Sequence, residues 1–267
     1  MADDLRSPAI VTLTTDFGVG SRYVAAMKGV ILSINPHVQI IDISHTVAPR
    51  DIRGGAIVLA ETCRWFPSGT IHVGVVDPGV GSHRRIIYAR LGGHHFVAPD
   101  NGLLSRLALS ERPDKIISVE DSAHWLPEVS RTFHGRDIMA PVAAWLSLGL
   151  ASEKLGTATD HLVELPWAEA QQVPNRIDGE VIEVDSFGNL VTNITREMLE
   201  GVPRNDAVII TCDEHETMGI FATFSDQPPM TFMAHLGSTG RLELAIVDEN
   251  ASGMLGVGVG TPVRVSW

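Results

Sequence analysis

Three runs of β-branched and apolar residues, Ile10–Thr15, Val38–Ile43 and Thr70–Val76, constrain the fold more than any other feature of the chain. Each is apolar along most of its length rather than at every second position. A strand with one face in water alternates, so runs of this kind belong to strands covered on both faces. The intervening segments supply the cover. Val24, Met27, Val30, Ile31 and Ile34 recur at helical spacing over Tyr23–Ile34. Asp51 is placed to cap a helix running towards Phe66. Further strand segments stand at Arg85–Tyr88, His95–Ala98 and Lys115–Val119, with short helices expected after Asp100-Asn101-Gly102 and after His134-Gly135. The alternation predicts a layered α/β domain with a mostly parallel sheet.

The pattern changes after Leu165. Pro166, Gln171-Gln172 and Pro174 read as a linker over 166–176. Beyond it, short β segments at Gly179–Val184, Asn189–Ile194, Ala207–Thr211, Leu242–Val247 and Val263–Val265 are punctuated by Gly and Pro. That texture predicts a smaller β-rich, barrel-like domain. The expected organisation is therefore an N-terminal α/β domain over 1–165, the linker, and a C-terminal β domain over 177–267. No internal repeat or low-complexity run is visible.

Composition narrows the function classes. A hydrophobic content of 44% with 19% charged residues is that of a packed globular protein. Twenty Lys and Arg stand against 32 Asp and Glu, a net charge of −12. Nucleic-acid binders draw affinity from basic faces that release counterions, so this balance argues against that class and against docking on anionic membranes. Cys63 and Cys212 sit in no metal-ligand spacing, which predicts a reducing compartment and no disulfide. The start, Met1 to Arg6, is acidic and polar, the opposite of a secretory leader. The longest apolar stretch, Ala140–Ala151, is too short to cross a bilayer. The expectation is a soluble cytoplasmic protein.

Three loops place polar residues directly after covered strands, where ligands of α/β sheets bind. In Thr14-Thr15-Asp16-Phe17-Gly18, the Asp16 carboxylate can accept from vicinal hydroxyls such as a ribose pair, or simply organise the turn. In Asp77-Pro78-Gly79-Val80-Gly81-Ser82-His83-Arg84-Arg85, two glycines tighten a loop across which an Asp and an Arg can pair. It lacks the Gly-Lys-Ser/Thr of a phosphate loop, and a strand rather than a helix follows. In Phe133-His134-Gly135-Arg136-Asp137, a helix N-terminus would lower the pKa of His134 and favour neutral imidazole. Asp137 can equally serve as a cap. Asp16-Phe17-Gly18 lacks the other kinase motifs, Gly256–Gly260 leads into a terminal strand, and His94-His95 point to opposite strand faces, so none of these signals a nucleotide or metal site.

Taken together, these segments resemble the S-adenosyl-L-methionine hydroxide adenosyltransferases, relatives of enzymes that halogenate the same substrate. The likeness is carried by TLTTDFG (Thr12–Gly18), YVAAMKG (Tyr23–Gly29), VVDPGVGS with the following arginines (Val75–Arg85), APDNGLLS (Ala98–Ser105) and FHGRDIMAPVAA (Phe133–Ala144). It continues in DSFGNLVTNI (Asp185–Ile194), GSTGRLELA (Gly237–Ala245) and Asn250-Ala251-Ser252. The matches run in order over almost the whole chain.

The resemblance implies attack of water or hydroxide on C5′ of S-adenosylmethionine, giving adenosine and L-methionine, with no cofactor and no metal. It implies homotrimers, or dimers of trimers, whose site lies at the subunit interface. Position by position, it makes Asp77, Arg84 and His134 the triad around the attacking water. Asp16 would grip the ribose hydroxyls, Asp185 the methionine ammonium and Asn189 the adenine. Ser238 would meet the methionine carboxylate, and the Ala251 backbone the adenine. Phe17, Gly135 and Phe187 complete the implied binding set. Halogenating relatives carry an aromatic residue in place of Asp77, whose charge would repel halide. Two departures stand out: Arg50 where those relatives have a large aromatic, and Thr239 where they have an arginine. The alternatives are a non-catalytic binder of S-adenosylmethionine or adenosine, and a halogenase.

Overall fold

In the computed structural model, which describes residues 8–267, the first apolar run is strand β1 (Ile10–Thr15) and the next two are β2 (Gln39–Ser44) and β3 (Ile71–Val75). The acidic start at Met1 to Arg6 lies outside the described residues. Helix α1 (Arg22–Ile34) joins β1 to β2, and α2 (Ile52–Thr62) joins β2 to β3. Their first turns are closed by side chains, which satisfy amides that no helical carbonyl can reach. Ser21 accepts from the Tyr23 amide, and Asp51 accepts from Gly54. Strands β4 (Ile86–Leu91) and β5 (His94–Pro99), helix α3 (Ser105–Ser110), strand β6 (Lys115–Val119), helix α4 (Ala140–Ser147) and strand β7 (Gly156–Thr159) complete the first unit.

These seven strands form one mixed sheet in the order β2-β1-β3-β5-β4-β6-β7. Neighbours from β2 to β5 pair in parallel, while β4, β6 and β7 add antiparallel pairings. Cover on both faces follows the expectation. Val24, Met27 and Ile31 of α1 and Val142 and Ala143 of α4 pack on Leu13 and Val73. On the other face Leu59 of α2 and Leu103 and Leu104 pack on Ile87 and Phe96. Burying each such side chain contributes roughly 1.5–3 kcal/mol. The exception is β2. As an edge strand it is not covered as its sequence predicts, and Ile41 is 37% exposed.

The second compact unit begins at Pro166. It contains strands β8 (Gln171–Val173), β9 (Arg176–Val184), β10 (Leu190–Thr195), β11 (Ile209–Cys212), β12 (His215–Met218), β13 (Phe232–Leu236) and β14 (Arg241–Ile246), then helix α5 (Ala251–Leu255) and strand β15 (Pro262–Ser266). All pair antiparallel in the order β12-β11-β15-β9-β10-β14-β13, with β8 alongside β9. The sheet curls into a nearly closed barrel. Its two end strands meet where the Thr217 hydroxyl donates to the Phe232 carbonyl at 2.8 Å. Ile177, Val181, Leu190, Ile210, Leu244 and Val265 fill the interior. Among the described residues no helix is long and apolar enough to cross a membrane.

Candidate active site

Register places the first polar groups. Thr15 of β1 lies opposite Val75 of β3, so the chain leaves both strands at the same edge of the sheet and delivers Asp16 and Asp77 side by side. The loop after β3 is tightened by Val80 donating to the Asp77 carbonyl (3.2 Å) and Ser82 to that of Gly79 (3.1 Å). Gly81 has φ +78°, and a Cβ there would stand 2.3 Å from the Arg131 carbonyl oxygen, so only glycine fits.

The loop returns Arg84 onto Asp77. Arg84 Nε donates to both carboxylate oxygens at 3.0 and 2.9 Å, and Nη2 pairs with Oδ2. The two side chains are only 10% and 4% exposed, so breaking the pair would leave a buried charge uncompensated. The same Nη2 lies 2.9 Å from His134 Nδ1. Arginine has no acceptor, so Nδ1 accepts and the ring proton sits on Nε2. The lowered pKa expected for His134 is found, but with a different cause. Gly135–Met139 form a wide π-type turn before α4 rather than the start of a regular helix. Burial lowers the His134 pKa most, Arg84 adds to it, and Asp77 and Asp137 oppose. Asp137 is fully buried and ties the turn together, accepting from the Ser130 amide at 2.8 Å and from Arg136 Nε.

Asp16 accepts the Arg50 amide at 2.8 Å. Beside it Phe17 and Tyr23 each meet Phe133 edge-on and are tilted against one another, with ring centroids 5.2–5.8 Å apart. Asp16, Phe17, Asp77, His134 and Gly135 thus share a cleft of about 350 Å³, and Arg50 stands on its wall. Tyr23 and Phe133 also line it. Both lie inside quoted motifs, YVAAMKG and FHGRDIM, yet nothing in their spacing marked them as wall residues.

In the second unit a separate cleft of about 740 Å³ gathers Asp185, Phe187, Asn189 and Ser238. Asp185 Oδ1 accepts from the Phe187 and Asn189 amides, both at 2.8 Å, and Oδ2 from Asn189 Nδ2 at 2.9 Å. This tight turn leaves the Phe187 ring 77% exposed. Ala251 is buried in the first turn of α5 and does not line the cleft, although its neighbour Asn250 does. Asn250 caps α5 through Gly253, and the Ser252 amide donates to Gly188 at 2.9 Å, fastening α5 to the Asp185 turn. Sequence reasoning missed His235, Glu243, Asp248 and Glu249, which also line this cleft. With Asp185 they make its rim acidic, and its lining includes no Lys or Arg. That polarity suits a cationic ligand. Among the described residues no group of three His, Cys, Asp or Glu side chains is placed to hold a metal ion.

Fold and clefts together define the class: a small-molecule enzyme built from an α/β unit and a β-barrel unit, with buried polar clusters at strand ends. The chain belongs to the SAM hydroxide adenosyltransferase family, whose N-terminal domain model matches residues 11–156 and whose C-terminal domain model matches 179–264. It is 38% identical to the (R)-S-adenosyl-L-methionine hydrolase of Salinispora arenicola, over 96% of this chain and 97% of that protein. A fluorinase of Nocardia brasiliensis is 30% identical over 88% of this chain and 89% of its own length. A solved structure of a conserved Thermotoga maritima protein superposes with a TM-score of 0.91 at 36% identity, covering 97% of this chain and all of that one.

Proposed function

We propose that this protein hydrolyses S-adenosyl-L-methionine at C5′ of the ribose, giving adenosine and L-methionine. The (R) sulfonium epimer specified in the name of its hydrolase relative is the preferred substrate. The observation that carries the reading is that Asp77 and His134, joined behind the cleft by Arg84, share that cleft with Asp16. A sulfonium leaves as a neutral thioether and needs no acid, so no cofactor is required. What the uncatalysed reaction lacks is a water held in line with the C5′–S bond, and positioning supplies several kcal/mol.

The residues divide that work. The water oxygen bonds to C5′ as the C5′–S electron pair passes to sulfur, and one water proton must be taken up. His134, with its proton on Nε2, orients the water as a donor and leaves an oxygen lone pair to attack. Asp77 receives the proton, directly or on its way to solvent. Arg84 pairs with the Asp77 carboxylate, holds it in place, and fixes the His134 tautomer. Asp16 would hold the ribose hydroxyls, with Phe17 and Gly135 beside the sugar. In the second unit, Asp185, Phe187, Asn189, Ser238 and the Ala251 backbone would bind the methionine and adenine parts. The assembly we carry with this reading is a cytoplasmic homotrimer, or a dimer of trimers, resting on the family likeness.

The test is chromatography of the small molecules after incubating the protein with each sulfonium epimer, with and without chloride. Adenosine and methionine in equal amounts, independent of chloride, are expected from the (R) epimer. Asp77→Asn and His134→Ala should each lower the rate on the order of 10²-fold or more. Intact substrate retained on the protein would instead establish a binder, and 5′-chloroadenosine a halogenase.

A further inference from the structure

Arg50 has φ +67°, a left-handed backbone that side-chain-bearing residues adopt at a cost. Such outliers persist where surrounding structure demands them, often at functional sites. The demand here is visible. The Asp51 amide donates to the Ala48 carbonyl at 2.9 Å, closing a β-turn with Pro49 second and Arg50 third. Proline cannot take positive φ, so the turn is type II. Type II turns usually put glycine or asparagine third, because that residue must be left-handed. The peptide joining the second and third residues is flipped relative to a type I turn, and this flip sets the direction of the Arg50 N–H. That N–H donates to Asp16 Oδ2 at 2.8 Å.

We propose that Arg50 is a positioning residue acting through its main chain. The left-handed turn at Ala48–Asp51 clamps one carboxylate oxygen of Asp16 and leaves Oδ1 aimed for the ribose hydroxyls. This rests on the reading of Asp16 as the ribose-binding group. The guanidinium at this position, where halogenating relatives carry an aromatic, is not what holds Asp16. The turn is. A ribosyl ligand therefore meets a carboxylate already oriented, and the strain in the turn is offset by the hydrogen bond and by Asp51 capping α2.

Three substitutions share the loss of the guanidinium and tolerate positive φ progressively less well: Arg50→Gly, Arg50→Ala and Arg50→Val. Adenosine affinity of the full-length protein, read by calorimetry, should fall in that order, with Val about tenfold weaker than Gly. The same order should appear in KM for S-adenosylmethionine, with kcat changing less. With 2′,3′-dideoxyadenosine, which offers Asp16 no hydroxyls, the spread should collapse to less than twofold. Equal affinities across the three variants would overturn the proposal, as would a spread that persists with the dideoxy ligand. Should the Val variant not fold, the Gly–Ala difference carries the test, with an expected spread of a few-fold. Wild-type protein that neither binds adenosine nor hydrolyses S-adenosylmethionine would remove the underlying reading. Wild-type activity with unordered variants would remove only the turn.

Discussion

Protonation of His134 has one place to put the new proton, Nδ1, and that atom already accepts from Arg84 at 2.9 Å. A charged ring would turn two donors against each other beside a fixed positive charge. Burial and Arg84 accordingly hold the His134 pKa below its ordinary 6.5. The sign for activity follows. If neutral His134 orients the water, kcat/KM is level around neutral pH and falls as pH drops through that lowered value. In His134→Gln, whose amide oxygen can accept from Arg84 while its NH₂ donates, part of the rate should survive and the acid limb should vanish. An acid limb unchanged in that variant would assign the titration to another group. Asp16 and Asp77 were legible in sequence because each follows a strand that needs cover, where a carboxylate has no packing role. His134, by contrast, follows no strand and stands just before the π-type turn that leads into α4. The aromatic wall was not legible. Tyr23 and Phe133 meet across more than a hundred positions of chain, and only the packing of α1 against the π-type turn brings their rings within 5.2 Å.

At the scale of elements, β1, β3 and β5 share a buried polar thread no motif announced. The Thr12 hydroxyl and His72 Nδ1 are 2.7 Å apart, and His72 Nε2 lies 3.3 Å from His94 Nδ1. His72 is fully buried, stacks on Phe96, and has its pKa pushed down from 6.5 to about 3, chiefly by desolvation. A depressed folded-state value means the unfolded chain binds the proton first. The stability this neutral ring provides is therefore complete above pH 6.5 and drains away as pH falls towards 3. One such proton is worth ~1.4 kcal/mol per pH unit, so wild type should lose about 2 kcal/mol more than His72→Gln between about pH 7 and pH 5. Urea unfolding across that interval measures it, and parallel slopes for the two proteins would refute it. The same scale shows where patterning fails. Strand β12 reads His215-Glu216-Thr217-Met218 and carries no apolar run, and pairing with β11 is what makes it a strand; the apolar start of β13, Phe232-Met233-Ala234, is only three residues long and is held by pairing with β14. Helix α5 is five residues held by its Asn250 cap, too short for a helical period to register. Strands β1 and β3 were legible because two-sided burial writes itself along the whole run, whereas β2 shows the same apolar pattern on an exposed edge.

For the whole molecule, the decisive question is whether one copy supplies both halves of the proposed site. The N-terminal cleft holds the groups assigned to water and ribose, and the C-terminal cleft those assigned to methionine and adenine. A closed homotrimer in which each site takes its two halves from adjacent copies makes a quantitative prediction. Asp77→Asn inactivates one half and Asp185→Ala weakens the other, so each variant alone should be nearly inactive. When the two are mixed in equal amounts and reassembled, every site draws each half at random. A site is intact only when both draws are wild type, so about a quarter of wild-type activity should return. If each site is built within one copy, no mixture contains an intact site, and activity stays at the level of the parents. Distinguishable tags on the two variants report whether subunits exchanged. Mixed oligomers without recovered activity would therefore exclude the shared site, while recovery near a quarter would require it.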